Sequence, residues 1–242
     1  MKVQLFIPCY VDQLYPITGQ NTAEILQHVG CEVLYNSKQT CCGQPAFNAG
    51  YWNEAKSLAE KFFMDYDVSL PIVSPSASCT GFIKRHYAKL FFNESKQLDL
   101  CRMVSNQLFE LSDFLCNQLG IFDLNASFPH RVTLHRSCSA IREYGLTDEP
   151  ERLLSHVKGL ELIEMEESTT CCGFGGTFAI KQTDISTAMV EKKVQYALAV
   201  GVEYIVVTEA SCLMNINGYC VKHKLPIRAI HIADILNAKT DK

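Results

Sequence analysis

The sequence predicts an α/β protein of two duplicated halves, each a small parallel sheet flanked by helices, with a cysteine site at the carboxyl ends of the strands. Three observations predict it. Short apolar, β-prone runs alternate with stretches of helical periodicity, the order that yields parallel strands joined by right-handed crossovers. That order occurs twice, on either side of the turn-rich, aperiodic segment Asn117–His130. A Thr-Cys-Cys-Gly motif also occurs once in each half, at Thr40–Gly43 and Thr170–Gly173. The halves are expected to span 1–120 and 130–242.

In the first half, Val3–Pro8 is apolar and closed by Pro8-Cys9, which predicts a buried strand. Asn21–Val29 reads as a helix, with Asn21 or Thr22 as N-cap and Gly30 as its stop. Cys31–Asn36 is a second strand, and Ser37–Gly43 is the first double-cysteine loop. From Tyr51 to Phe63 a helix is predicted, because Ala55, Leu58, Ala59, Phe62 and Phe63 share one face. Leu70–Ser74 is a third strand and runs into Pro75-Ser76-Ala77-Ser78-Cys79. A helical region then extends to Glu110–Leu115.

The second half repeats this. Arg131–His135, Leu160–Met165 and Tyr204–Thr208 read as strands, and Pro150–Val157 reads as a helix. A long helix carries Val190, Val194, Ala197 and Leu198 on one face. Glu209-Ala210-Ser211-Cys212 follows the last strand, and His231–Leu236 matches Glu110–Leu115 in pattern.

The composition is that of a globular chain, 48% apolar and 20% charged, with a net charge of −4 that argues against nucleic acid or an anionic membrane as partner. The opening apolar run is too short for a signal peptide, and Ala197–Val207 is too short to span a bilayer. A cytoplasmic protein is expected, in which cysteines serve metal or redox chemistry more often than disulfides.

Eight of the twelve cysteines form two matching sets. Cys9 precedes Cys41 by 32 positions and Cys138 precedes Cys171 by 33, while Cys79 follows Gly43 by 36 and Cys212 follows Gly173 by 39. The expected ligand sets are Cys9, Cys41, Cys42 and Cys79, and Cys138, Cys171, Cys172 and Cys212. Four thiolates suit an iron–sulfur cluster or a structural zinc, and zinc stays the alternative in one or both sites, which would make the chain a zinc-stabilised binding or regulatory module without redox chemistry. Iron and sulfide are favoured because no C-x-x-C knuckle is present, and because Gly43 and Gly173 let backbone N–H groups approach sulfur. A vicinal redox pair is the competing reading of each motif.

Cys31, Cys101, Cys116 and Cys220 break the repeat and read as core residues. His135 lacks a counterpart near Cys9 and reads as a supporting group, while Phe47, Trp52 and Phe178 read as packing residues. No G-x-G-x-x-G follows a strand, so no nucleotide cofactor is expected.

With these motifs the chain resembles the CCG cysteine-rich domain family, which includes a component of heterodisulfide reductase and iron–sulfur components of glycolate and lactate oxidation systems. The likeness lies in Ile7-Pro8-Cys9, Gln39–Tyr51, Ser74–Cys79, Cys171–Ala179 and Ser211–Tyr219. It implies an electron-carrying subunit in the oxidation of L-lactate to pyruvate. Its implied partners are a ferredoxin-type iron–sulfur subunit and a further companion protein, with L-lactate bound at a shared site. The family's closing C-x-x-C is absent, since Phe82 and Asn215 stand at the second positions, and Arg136 and Ser139 replace an expected aspartate and histidine. Four cysteines per site, where the family pattern has five, speak against the noncubane cluster of the heterodisulfide reductase relatives and leave an ordinary 4Fe-4S cluster, one or two per chain, as the expectation.

Overall fold

In the computed structural model, which describes residues 1–239, the apolar runs of each half line up as a four-stranded parallel sheet. The first sheet consists of β1 (Lys2–Leu5), β2 (Glu32–Tyr35), β3 (Ile72–Ser74) and β4 (Leu108–Glu110), in the spatial order β2-β1-β3-β4. The second has β5 (Arg131–Leu134), β6 (Glu161–Leu162), β7 (Tyr204–Val207) and β8 (Arg228–His231), in the order β6-β5-β7-β8. All neighbouring strands pair in parallel.

Helices α1 (Cys9–Leu14) and α2 (Pro16–His28) connect β1 to β2. Helices α3 (Gln44–Asn48) and α4 (Trp52–Asp65) lead to β3, and α5 (Ala77–Leu90) and α6 (Ser95–Gln107) lead to β4. The half closes with α7 (Leu111–Asp113), which continues as a π-helical turn over Phe114–Gln118. In the second half a π-helical turn at Ala140–Tyr144 precedes α8 (Glu149–Leu154). Then come α9 (Thr177–Lys181), α10 (Thr183–Ala199), α11 (Ala210–Lys222) and α12 (Ile232–Leu236). Among the described residues no helix is long and apolar enough to cross a membrane.

The duplicated α/β architecture is as the sequence predicts, with four strands per half where the sequence signals three. β4 lies in the region that reads as helical. Three residues are too few to show alternation, and Leu108 and Glu110 are both buried. The unpredicted β8 is likewise short, and exposes only its first residue strongly. α2 starts at Pro16, which is suited to a first helical turn. Asn21 and Thr22 therefore lie inside it, and the Thr22 hydroxyl donates to the Thr18 carbonyl at 2.7 Å. The strand expected over Leu160–Met165 shrinks to β6, although the Ile163 amide still donates to the Val132 carbonyl at 2.8 Å. The second half as expected, 130–242, ends on residues 240–242, which lie outside those described.

The two sheets share one core. Val3 and Leu5 of β1 lie in the same buried apolar cluster as Val132 and Leu134 of β5, Leu111 and Ile232. Closing helices are exchanged across the seam. α12 packs on α2, where Thr18 and Asn21 donate to the Asp234 carboxylate at 3.0 and 2.8 Å, and α7 packs on α8. Both closing helices are capped alike: Glu110 Oε2 accepts from Ser112 N at 2.6 Å, and His231 Nδ1 accepts from Ala233 N at 3.2 Å.

α5 also crosses the π-helical turn at Ala140–Tyr144 in close contact at Gly81. A Cβ at Gly81 would lie 2.8 Å from both Glu143 Cβ and Tyr144 N. These atoms are anchored in backbone, which places the cost of Gly81→Ala in the upper part of the ~1–3 kcal/mol range for overpacking, above the ~1 kcal/mol that alanine gains in helix propensity. We expect a lower denaturant midpoint for this variant. An unchanged midpoint would show that the seam yields freely.

Candidate metal centre

Each half delivers four sulfurs by the same local steps. Three residues of extended chain beyond β1 end at Pro8, and Cys9 then opens α1. The equivalent steps after β5 place Cys138 at the opening of a helical turn. Cys79 is the third residue of α5 after β3, and Cys212 is the third residue of α11 after β7. The loops after β2 and β6 bring in the double cysteines, so all three routes end at the carboxyl edge of a parallel sheet, where ligands collect in such folds.

The eight sulfurs meet in matched pairs. Cys9 and Cys41 Sγ are 3.8 Å apart, and Cys42 and Cys79 Sγ are 3.4 Å apart. In the second half Cys138 and Cys171 are 3.9 Å apart and Cys172 and Cys212 are 3.0 Å apart. Both sets line one cavity of about 160 Å³ at the junction of the halves. Tyr10 and Phe174 close one side of it, edge to face at 5.5 Å.

Backbone polar groups hold the double-cysteine loops in place. The Gly43 amide donates to Cys41 Sγ at 3.4 Å, and the Gly173 amide donates to Cys171 Sγ at 3.3 Å. Gly173 has φ +84°, and a Cβ there would lie 2.6 Å from the Ser186 carbonyl oxygen, so only glycine fits. The carbonyl of the second cysteine in each pair is also tied down. Cys42 O accepts from the buried Tyr87 hydroxyl at 2.9 Å, and Cys172 O accepts from Asn215 Nδ2 at 2.8 Å. Asn215, three residues after Cys212, thus anchors the loop from α11. Phe82, its counterpart, packs among Phe47, His86 and Tyr87.

Arg136 ties the second loop from outside through Glu151 and Glu164 at 2.5 and 2.6 Å and Ser168 Oγ at 2.8 Å. Cys138 donates to Cys171 and is partly buried, and both effects push its thiol up, only partly offset by hydrogen bonds from Ser139. Cys31, Cys101, Cys116 and Cys220 are buried apart from the cavity. Phe47 stacks on Trp52 with centroids 5.3 Å apart, and the Phe178 ring packs over Gly175.

The cavity is electrostatically loaded. Cys41 accepts from Cys42, Cys9 and the Gly43 amide, which holds its thiol low, at about 3. Cys9 donates to Cys41 and is half-buried, and both effects push its thiol up. Glu209 is fully enclosed between the halves, hydrogen-bonded to Ser76 Oγ at 3.2 Å and Ser137 Oγ at 3.4 Å. Burial raises it to about 7. His135 is 1% exposed, and one of its ring nitrogens lies within 4.8 Å of Cys172 and Cys212 Sγ. Burial and the neighbouring Lys193 push it down to about 3, so its ring is neutral. Lys193 is fully buried and donates to the Glu167 and Ser168 carbonyls at 2.5 and 3.2 Å.

The sequence alone assigns no role to Tyr87, Lys193, Asn215 or Glu209. Glu209 stands in a motif with Cys212, which is the one local sign of it. Tyr87 and Lys193 sit in helical stretches that carry no such sign. As a donor set, each half offers two close pairs of soft sulfurs on one cavity, with one amide N–H donating to a sulfur of each set, which fits a four-thiolate cluster or ion.

The cysteine-rich domain family, CCG, matches residues 3–84 and again 132–217. Full-length relatives include lactate utilization protein A of Bacillus subtilis (strain 168), 41% identical over 239 residues that cover 99% of this chain and 100% of that protein. The namesake from Oceanobacillus iheyensis is 41% identical over 98% of this chain and 97% of its own length. That of Geobacillus thermodenitrificans is 40% identical over 98% and 99%.

Within each set two sulfurs are half-exposed to the cavity mouth and two are buried. In metal-free reduced protein, where the loops loosen, we expect alkylation of Cys9, Cys41, Cys42, Cys138, Cys171 and Cys172 before Cys79 and Cys212, which are buried in α5 and α11, read by peptide mass spectrometry. Labelling of Cys42 and Cys172 as slow as that of Cys79 and Cys212 would show that the loops stay closed without metal.

Proposed function

The chain belongs to the CCG cysteine-rich domain family, and on that footing we propose that it is the iron–sulfur electron-transfer subunit of a system that oxidises L-lactate to pyruvate. The observation that carries this reading is the meeting of eight cysteines, as two matched four-sulfur sets, at one cavity. Cys9, Cys41, Cys42 and Cys79 would hold one cluster, and Cys138, Cys171, Cys172 and Cys212 the other. A 4Fe-4S cluster supplies one-electron storage and transfer.

The chain's own residues supply the rest. Gly43 and Gly173 N–H groups neutralise charge on sulfur, while Tyr87 and Asn215 fix the ligand backbone. The seam core and the exchanged helices keep the two sets at a fixed separation. The relatives' name supports a place in lactate utilization. The proposed partners are a ferredoxin-type iron–sulfur subunit and a companion protein, with lactate bound at a shared site, since among the described residues the cavity offers carboxylate and hydroxyl groups from Glu209, Ser76 and Ser137 and no cation to face a substrate carboxylate.

Removing one thiolate should empty the set it belongs to, because a hydroxyl is a poor soft donor. We expect Cys41→Ser and Cys172→Ser each to lose about half of the bound iron and sulfide, and Cys101→Ser and Cys116→Ser to lose none. The measurement is iron, sulfide and zinc analysis of anaerobically purified protein. Unchanged metal in both ligand variants, or zinc without sulfide in the parent protein, would overturn the reading.

A further inference from the structure

The two sites share a backbone plan but not a back wall. The Phe6 amide donates to the Val73 carbonyl at 2.9 Å, and the His135 amide donates to the Val206 carbonyl at 2.9 Å, so these residues hold equivalent positions in β3- and β7-paired chain. Gly43 faces Ala55 and Leu58, and Gly173 faces Ser186 and Met189. On that register Phe62 of α4 matches Lys193 of α10. In the first half Phe6 and Phe62 meet edge to face at 5.2 Å, within the same apolar cluster as Cys42 and Cys79. In the second half the equivalent pair is an imidazole and an ammonium.

We propose that His135 and Lys193 make the second cysteine site the stronger electron acceptor of the two. Reduction adds one negative charge to a site already bearing four thiolates. Behind the first site stand two aromatic rings, which offer that charge no compensation. Behind the second stands the buried Lys193 ammonium, which burial lowers to about 8 against the attraction of Cys172, Cys212 and Cys171, so that it keeps its charge at neutral pH. Burial leaves this attraction little weakened by water or salt.

His135 adds a directed donor. Among the described residues neither of its ring nitrogens makes a well-formed hydrogen bond, although the side chain is 1% exposed and the Ser168 carbonyl acts on the ring. A buried polar group left in that state costs about 1–3 kcal/mol. Its neighbours on the site side are the Cys172 and Cys212 sulfurs, so a ring N–H directed at sulfur meets that need. Such N–H donation to sulfur raises the potential of a cluster. A purely structural Lys193, held by the Glu167 and Ser168 carbonyls, would leave the orphaned imidazole beside it unexplained.

This inference rests on the cluster reading proposed above, and the test separates the two. Iron and sulfide per chain are measured first in the parent protein, and a colourless, sulfide-free protein fails that reading and removes the basis of this one. Redox titration followed by electron paramagnetic resonance then compares the parent protein with Lys193→Gln, Lys193→Arg and His135→Leu. Lys193→Gln keeps amide donors for the two carbonyls and removes the charge. We expect Lys193→Gln and His135→Leu each to make one midpoint potential more negative and to leave the other unmoved, with Lys193→Arg restoring it. The signal that moves should be the one absent from Cys172→Ser. Unmoved potentials, a shift in the signal that depends on Cys41, or loss of iron from His135→Leu (which would make His135 a ligand) would each overturn the inference.

Discussion

The constraint on which the structure turns is the crowding of sulfur. Four thiols per half approach in pairs 3.0–3.9 Å apart at the ends of parallel strands. Thiolates so close repel one another, and thiols so deeply set lose solvation, so the arrangement is favourable only with a positive centre among them. The scaffold around them is held by other means. The sheets and α4 and α10 bury apolar faces made mainly of aliphatic and aromatic side chains, with Ala55, Ala59 and Phe62 on one helix and Val190, Val194 and Ala197 on the other. The ligand loops, by contrast, hang on a few polar contacts from Tyr87, Asn215, Arg136 and Lys193.

Duplication explains the matched geometry, and its imperfections carry the functional interest. Gly43 and Gly173 direct the same N–H bond at the same sulfur. The carbonyl of the second paired cysteine is held in both halves, by a tyrosine in one and an asparagine in the other. Glu209, bonded to a serine from each half, sits between the two sets and belongs to neither. It gives the junction an acidic group near neutrality, whereas the first back wall is aromatic and the second is polar.

Much of this was legible in the sequence, because the strongest signals are periodic or repeated. The face of α4 with Ala55, Ala59 and Phe62 and that of α10 with Val190, Val194 and Ala197 are plain helical stripes, and the cysteine register shows the duplication. β4 and β8 were not legible. Three or four residues give no alternation, and Glu110 and His231 are polar groups buried only because each caps the helix after its strand. The start of α2 was obscured by Asn21 and Thr22, which look like caps yet serve Asp234 and the helix's own backbone. The back wall was hidden for another reason. Phe6 and His135, or Phe62 and Lys193, are far apart in the chain, and their equivalence emerges only once the halves are folded and compared.

If a metal centre holds the ligand loops while apolar packing holds the scaffold, the two should part on metal removal. Hydrogen exchange on holo and metal-stripped protein tests this most directly. We expect the loops at 37–43 and 167–176 to lose amide protection when metal is removed, while β1, β5, α4 and α10 keep theirs. Equal protection of both loops in the two forms would contradict the account, because it would mean that packing alone brings the eight sulfurs together.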